Sequence, residues 1–347
     1  MTRHDGAARR YQGWQALDGW ALLDWNESPL GPSPLAVRAV REAAAQLHRY
    51  PRGLLDDVCE LTAIHLGVAH TQVLLTAGVD EAVDIALSLA DAAWGVQPGF
   101  DGYPDRAAAQ GKPFRPIALG ADWHPIRTRA GSLAAGDMVF IAQPNNPTGN
   151  FFDARWLADI RRTAGYLFLD ETYQEFSSRP SIAGQTARDP RLLVYRSFSK
   201  ALGLAGIRLG CLVGHPETIE ALRPLRRFYP IDSVSLHAAA ATLADGEFTR
   251  RLVSYVIEAR ADLARILADC GAFACVRQTE ANFVIAQPFP SAAPRVLSAL
   301  ERDCIRVKPC DSLGLPGWLR VSVGSPEDQR RLGAALAGIG QAAPVTG

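Results

Sequence analysis

The alternation of short β-type runs with helical patterns, between about residues 70 and 215, is the feature that most restricts the fold of this chain. Helical periodicity over Glu81–Ala93 and Ala154–Thr163 separates the β-type runs. Such alternation is typical of a mostly parallel sheet covered by helices. The runs predicted as strands are Val73–Leu75, Met138–Ala142, Tyr166–Leu169, Leu192–Tyr195 and Arg208–Val213.

The pattern changes after about residue 235. One long helical stretch, Leu236–Cys270, precedes three short β-type runs, Asn282–Ala286, Ile305–Lys308 and Leu319–Val323. The 347-residue chain suits one large and one small domain, and 48% hydrophobic residues allow a substantial core. We therefore expect an α/β fold with a large domain over residues 46–234. A smaller α+β domain would combine residues 1–45 and 235–347.

Composition narrows the possible partners and the compartment. Lys plus Arg and Asp plus Glu each number 36, so the chain lacks the basic excess typical of nucleic-acid binding. No apolar run approaches the roughly 20 residues that a membrane span needs, and no signal peptide is indicated. The six cysteines show no spacing typical of a zinc site. We expect a cytoplasmic protein with free thiols and with no metal, nucleic-acid or membrane partner.

A lysine in a short polar turn is the strongest chemical signal. Ser197, Phe198, Ser199 and Lys200 follow a β-type run, and Arg208 lies eight residues further on. By itself such a lysine could be a surface loop residue. A cofactor such as pyridoxal 5'-phosphate requires an amine that forms a Schiff base, together with donors for a phosphate dianion. Ser197, Lys200 and Arg208 supply these groups within twelve residues.

An acidic residue ends the apolar run at Tyr166–Leu169. Asp170 would be costly to bury without a partner, and Tyr173 follows one turn later. It could simply cap the next helix. Alternatively, the carboxylate could hold a cation, and a protonated pyridine nitrogen fits that description, since such a pair keeps the ring electron-withdrawing.

Two further turns follow predicted strands. The string from Gln143 to Gly149, which contains Asn146, comes directly after Met138–Ala142. It is a turn sequence, at the carboxyl end of a parallel strand where ligands bind in open α/β sheets. Gly78 precedes an apolar-periodic helix, whose N-terminal amides could bind a phosphate.

Taken together and in this order, these strings resemble the pyridoxal-phosphate-dependent aminotransferases of fold type I, in particular the histidinol-phosphate aminotransferase-like branch. The resemblance runs from Leu23–Pro29 to Leu319–Gly324. It implies a mostly parallel central sheet in a large domain, a smaller α+β domain, and transfer of an amino group from an amino acid or related amine to a keto acid.

The resemblance also implies roles for single residues. Lys200 would form the Schiff base and carry a proton, Asp170 would pair with the pyridine nitrogen, and Asn146 and Tyr173 would bind the ring oxygen. Phe100 would stack on the ring. The phosphate would be held by Ser197, Arg208 and the amides of Gly78, Val79 and Asp80.

Two more residues concern the partner subunit and the substrate. By the resemblance, Tyr50 would reach the phosphate bound by the other subunit, which implies a homodimer. Arg320 would clamp the substrate carboxylate, since a guanidinium matches a planar anion.

The sequence departs from this branch where the substrate is chosen. Leu30 stands where a tyrosine is usual, Lys308 where an arginine helps to hold a substrate phosphate, and Asp232 where asparagine is frequent. A lysine binds phosphate as a point charge without a bidentate fork. We therefore expect α-amino acids to react faster than histidinol phosphate. Asp232 would either favour a polar or basic side chain or cap a helix.

Two alternatives stay open at this point. The same fold could support another reaction, such as the decarboxylation carried out by the related threonine-phosphate decarboxylases. The chain could also be a non-catalytic regulator that binds the cofactor. Such regulators usually carry an N-terminal DNA-binding module, and only about 20 residues precede Asp24.

Overall fold

The computed structural model describes residues 17–126, 133–337 and 339, which form two sheets with helices around them. The strands are β1 (Ala21–Leu23), β2 (Val73–Thr76), β3 (Ala92–Gln97), β4 (Phe114–Ala118), β5 (Asp137–Ala142), β6 (Tyr166–Asp170), β7 (Leu192–Ser197), β8 (Gly210–Val213), β9 (Phe273–Arg277), β10 (Phe283–Pro288), β11 (Ile305–Pro309) and β12 (Leu319–Ser322).

The α-helices lie between these strands and after them. They are α1 (Pro34–Ala43), α2 (Leu54–Leu66), α3 (Gly78–Leu87), α4 (Gly102–Ala109), α5 (Ala154–Thr163), α6 (Pro216–Leu222), α7 (Ser233–Ala244), α8 (Gly246–Asp269), α9 (Ala293–Arg302) and α10 (Pro326–Leu336). None of the helices in the described ranges is long and apolar enough to cross a membrane.

The larger sheet has the strand order β2–β8–β7–β6–β5–β3–β4. β8 runs antiparallel to both of its neighbours, and the other pairings are parallel. The mostly parallel sheet predicted from the sequence is thus confirmed. Every residue of β5 and β7 is buried, because helices cover both faces of the sheet and leave no polar side to the strands.

The smaller sheet has the order β1–β11–β12–β10–β9, so the N-terminal strand joins elements from the end of the chain. β1 pairs parallel with β11, and the other pairings are antiparallel. Leu252 and Val256 of α8 pack with Val284 and Val321 in the core beneath this sheet. In contrast, Ala36 of α1 packs into the core of the larger sheet. The domain boundaries themselves stay a prediction.

Two helix predictions need correction. The predicted helix Glu81–Ala93 ends at Leu87, and Ala92 already begins β3. A fully buried strand reads as a continuous apolar run, so periodicity alone could not separate it from the helix before it. The predicted helix Leu236–Cys270 is two helices, because Asp245 ends α7 and caps α8 by accepting a hydrogen bond from the Phe248 amide.

The strand predictions were incomplete at the sheet edges. β4 and β9 were missed, since each is an edge strand with several solvent-facing residues and β4 contains Pro116. The run predicted from Arg208 starts as a strand only at Gly210, because Arg208 adopts a left-handed conformation with φ 52°.

Candidate active site

The parallel strands β5, β6 and β7 bring three predicted motifs to one edge of the larger sheet. Ala142 pairs with Asp170, and Asp170 pairs with Tyr195, so the three strands end nearly level. The turn that contains Asn146 follows β5, Asp170 ends β6, and Lys200 follows β7. Ligands bind at the carboxyl ends of strands in open α/β sheets, and this edge is the candidate active site.

The amine of Lys200 has a lower pKa than that of an ordinary surface lysine. Its Nζ donates a hydrogen bond to the Trp25 carbonyl at 2.8 Å. Part of the side chain stays open to solvent, but burial is the largest influence on the amine. Burial, reinforced by the positive charges of Arg320 and Arg208, lowers the pKa of Lys200 to about 7. A large fraction of the amine is therefore uncharged near neutral pH, as a nucleophile or base needs.

Asp170 is a buried carboxylate without a direct salt bridge among the described residues. One oxygen accepts the hydroxyl proton of Tyr103 at 2.8 Å, and the other accepts the Thr172 amide at 2.9 Å. Burial raises its pKa, although these hydrogen bonds and the charge of Lys200 act in the opposite direction. A buried carboxylate that is held in place by two donors is well suited to bind a cationic ligand group.

Tyr103 belongs to the site although sequence reasoning did not single it out. Its ring is buried, stacks on Phe140 with centroids 5.1 Å apart, and meets Phe100 edge-to-face at 5.2 Å. Burial raises the pKa of its hydroxyl well above the usual value, so the group stays a hydrogen-bond donor to Asp170. No local pattern pointed to Tyr103, because Phe100 precedes α4 and the bond from Tyr103 to Asp170 joins residues 67 positions apart.

The first turn of α3 and the Arg208 side chain form an anion-binding corner. Gly78 has φ +78°, and a Cβ at this position would lie 3.0 Å from the Arg208 Nη2 atom. The guanidinium and the helix N-terminus are therefore adjacent. Arg208 also lies 3.9 Å from Asp80, but both side chains are more than half exposed and the pair is weak.

Ser197 supplies a hydroxyl next to this corner. It ends β7, and its Oγ accepts the Ser199 amide at 3.1 Å, which leaves the hydroxyl proton available for donation. Val79 and Asp80 follow Gly78 in the first helical turn, where backbone amides lack partners inside the helix. A hydroxyl, a guanidinium and helix amides are the donors that a phosphate dianion requires.

Arg320 lies on β12 and is only 6% exposed. Its two terminal nitrogens donate to the Asn146 side-chain oxygen and to the Asp24 carbonyl, each at 2.5 Å. Its Nε is buried and has no partner among residues that the structure describes. An unpaired buried donor is costly, so the free Nε–H favours the binding of an anion that can accept its hydrogen bond.

Lys308 lies opposite Arg320 in the smaller sheet. The two residues are direct partners in the antiparallel pair β11–β12, so their side chains project from the same face. The alternate residues Leu319 and Val321 pack beneath the sheet with α8, which places the two cations on the opposite face. The structure thus brings a second positive charge beside Arg320.

Tyr173 is buried, and its hydroxyl accepts a hydrogen bond from the Asn26 side-chain amide at 3.0 Å. Asn26 also bonds Ser322 on β12. This contact links the N-terminal segment to the strand that carries Arg320. Asn26 is a second residue of the site that sequence reasoning did not single out.

Two residues that were predicted to bind substrate, Asp232 and Leu30, contact other parts of the protein. Asp232 caps α7, where its carboxylate accepts the amide and the hydroxyl of Ser235 at 2.9 and 2.6 Å. The helix-cap interpretation is therefore what the structure shows. Leu30 packs against the apolar core of the smaller sheet, as its hydrophobic side chain favours.

Two residues that were predicted to contact the cofactor, Phe100 and Tyr50, are not fully buried. Phe100 is partly buried and contacts the ring of Tyr103. Tyr50 is 72% exposed and stacks on Tyr229, with ring centroids 4.7 Å apart. Phe228, also exposed, packs edge-to-face on Tyr229. The Tyr50 ring thus lies in an aromatic surface cluster.

Comparison with known proteins identifies the family. The sequence model of the family "Aminotransferase class I and II" matches residues 19–336. The chain belongs to the class I and II aminotransferases. A histidinol-phosphate aminotransferase of Symbiobacterium thermophilum is 34% identical over 323 residues, which cover 90% of this chain and 89% of the relative. A protein of the same name from Syntrophotalea carbinolica is 32% identical over 345 residues, covering 94% and 95%.

Comparison with solved structures supports the same family. Histidinol-phosphate aminotransferase from Sinorhizobium meliloti, in complex with pyridoxal 5'-phosphate, superposes on this aminotransferase with a TM-score of 0.82 at 25% identity. The match covers 98% of each chain. The predicted family, the type I fold and the cofactor pyridoxal 5'-phosphate are confirmed. The donor set around Lys200, Asp170 and Arg208 fits that cofactor, because it supplies an amine, a carboxylate and phosphate donors.

Proposed function

We propose that this pyridoxal-phosphate-dependent aminotransferase exchanges an amino group between a phosphate-bearing primary amine of the histidinol phosphate kind and a 2-keto acid. The observation that carries the proposal is the cross-strand pairing of Lys308 with Arg320. Two cations on one face of the sheet match the double negative charge of a phosphate monoester.

The geometry and the family resemblance support a proposed set of cofactor residues. Lys200 would hold the cofactor covalently, Asp170 would bind its ring nitrogen, and Arg208 and Ser197 would bind its phosphate beside Gly78. When bound, pyridoxal 5'-phosphate supplies a carbonyl that condenses with amines and a ring that withdraws electrons.

The protein residues would move protons and fix orientation. With its pKa lowered to about 7, Lys200 can accept the proton from the substrate carbon next to the amine. The same amine can then donate that proton to a different carbon atom. Asp170, held by Tyr103, would keep negative charge at the ring nitrogen. Arg320 is fixed by Asn146 and by the Asp24 carbonyl, so it binds an anion without first having to be ordered.

The doubt about histidinol phosphate that the sequence raised is not confirmed. The relatives named above carry that substrate in their names. Leu30 contacts the core, and the Asp232 carboxylate is occupied as a helix cap, so neither favours an amino-acid side chain. The same relatives are aminotransferases, so we propose transamination and not decarboxylation or a non-catalytic role.

The surface cluster formed by Tyr50, Phe228 and Tyr229 supports a homodimer. Three neighbouring aromatic rings exposed to solvent mark an interaction surface, and Tyr50 is the residue that the resemblance assigns to the partner subunit's phosphate site. The six cysteines are free thiols, which supports the proposal of a cytoplasmic location.

A substrate panel tests the proposal. Histidinol phosphate, histidinol and a set of α-amino acids would each be mixed with the cofactor-loaded enzyme, and the loss of its visible absorption band would be followed in a single turnover. We expect histidinol phosphate to react at least about tenfold faster than histidinol, a difference of about 1.4 kcal/mol.

Lys308 offers a matched control for this panel. Lys308→Met should remove most of the preference for the phosphorylated substrate, whereas Lys308→Arg should keep it. Equal rates for histidinol and histidinol phosphate in the unmodified enzyme, or an amino acid faster than both, would overturn the proposed substrate.

A further inference from the structure

Asn26 occupies an unusual position between the two halves of the site. It is 1% exposed and has φ 54°, a left-handed conformation that asparagine tolerates better than most residues. Its backbone amide donates to the Ser322 Oγ at 2.9 Å, and its carbonyl accepts from Asn282 at 3.0 Å. Its side chain bonds Ser322 and Tyr173. All four polar groups of Asn26 are thus engaged in the interior.

The hydrogen bonds of Ser322 fix the orientation of the Asn26 amide. The Ser322 hydroxyl already accepts the Asn26 backbone N–H, so its own proton needs an acceptor. The Asn26 Oδ1 atom lies 2.8 Å away and serves as that acceptor. The amide nitrogen must therefore face Tyr173, and it donates to the Tyr173 hydroxyl at 3.0 Å.

The hydrogen bond from Asn26 restricts the hydrogen bonds that the Tyr173 hydroxyl can make. A phenol has a single proton, and the oxygen of Tyr173 is already an acceptor for Asn26. No acceptor for the phenol proton lies within hydrogen-bond distance in residues 17–126, 133–337 and 339. Burial raises the pKa of Tyr173, and the charge of Arg320 and the bond from Asn26 partly offset that rise, which strengthens the phenol as a donor.

We propose that Asn26 is a positioning residue whose amide reserves the proton of Tyr173 for the ring oxygen of bound pyridoxal 5'-phosphate. The inference rests on the proposed role of Tyr173 as a partner of that oxygen. Asn26 also bonds Ser322, two residues beyond Arg320 on β12, so the same side chain connects the cofactor end of the site to the strand that would bind substrate.

The proposal has a spectroscopic consequence. A donor to the ring oxygen stabilises negative charge there, and it does so most when the nitrogen that joins the cofactor to Lys200 has lost its proton. The bond from Tyr173 therefore lowers the pH at which the visible band of the bound cofactor titrates. Loss of a hydrogen bond to a charged group should raise that midpoint by about one to two pH units.

Three variants of the cofactor-loaded enzyme test the inference. Tyr173→Phe removes the donor and should raise the midpoint by the full amount. Asn26→Asp keeps the shape and tolerates the left-handed backbone, but a carboxylate accepts the phenol proton, so the midpoint should rise about as far. Asn26→Gly also tolerates φ 54° and only frees the phenol to rotate, so we expect an intermediate rise.

A control separates positioning from a general loss of structure. Asn282→Ala removes a neighbouring buried hydrogen bond, to the Asn26 carbonyl, and should lower the melting temperature without moving the midpoint. If Tyr173→Phe moves the midpoint but both Asn26 variants leave it in place, the inference about Asn26 is wrong. If Tyr173→Phe leaves it in place, the proposed role of Tyr173 fails, and the inference fails with it.

Discussion

Replacing Lys200 by methionine should stabilise the protein after its cofactor has been removed. Burial lowers the pKa of this lysine from 10.5 to about 7, a difference of about 3.5 pH units. At about 1.4 kcal/mol per unit, this corresponds to an upper value of about 5 kcal/mol for holding the charged amine in the folded state. Part of the side chain is open to solvent, so we expect a gain of about 2–3 kcal/mol.

The gain should depend on pH in a defined direction. Between about pH 7 and pH 10.5 the unfolded lysine is protonated while the folded lysine has lost its proton, so the unfolded state binds more protons. The free energy of unfolding of the wild type, relative to Lys200→Met, should therefore rise with pH across this window. Below about pH 7 both states are protonated, and the advantage of the variant should be constant and largest.

Urea unfolding of the cofactor-free wild type and variant at about pH 6.5, 8 and 9.5 would measure this difference. Lys200→Arg is the matched control, because it stays charged at every pH and should remain less stable than Lys200→Met throughout. A difference between wild type and Lys200→Met that does not change with pH would refute the reasoning. So would a methionine variant less stable than wild type at the lowest pH.

Three further predictions concern the carboxylate and the phosphate corner. Asp170→Asn should still bind the cofactor but lower kcat by at least about a hundredfold, measured by steady-state kinetics, and a near-normal kcat would make Asp170 purely structural. Tyr103→Phe removes a bond that lowers the pKa of Asp170, so the acidic limb of the kcat profile should move to higher pH; an unchanged profile would exclude this coupling. Gly78→Ala places a Cβ 3.0 Å from the Arg208 Nη2 atom at φ +78°, so it should weaken cofactor binding by about 1–2 kcal/mol. An equilibrium titration would measure this affinity, and an unchanged value would contradict the anion-binding corner.

The alternation of strand and helix patterns predicted the sheet, and the motifs after its strands, together with the family resemblance, predicted the cofactor. Strands buried on both faces must be apolar, so β5 and β6 were visible as runs, and the polar residues directly after them had to meet at one edge. Asp170 was predicted in this way as the polar end of an apolar run, and Lys200 was predicted as part of the polar turn that follows β7. Edge strands such as β4 carry no such pattern and were missed.

Residues that act through another side chain gave no local signal. Tyr103 lies 67 positions from Asp170, and Asn26 lies 147 positions from Tyr173, so only the folded chain shows that they bond. Asp232 gave a signal that fitted two interpretations, and the position of the Ser235 amide and hydroxyl decided in favour of a helix cap.

The sequence by itself determined the family and the cofactor, and it predicted Lys200 as the reactive lysine, because these depend on residue types at fixed spacing within short segments. The tertiary structure alone decided which charges share a face. Lys308 and Arg320 are twelve residues apart, and the sequence permits any register between their strands. The antiparallel pairing of β11 with β12 places them opposite each other, since side chains alternate between faces and a shift of one residue would separate them.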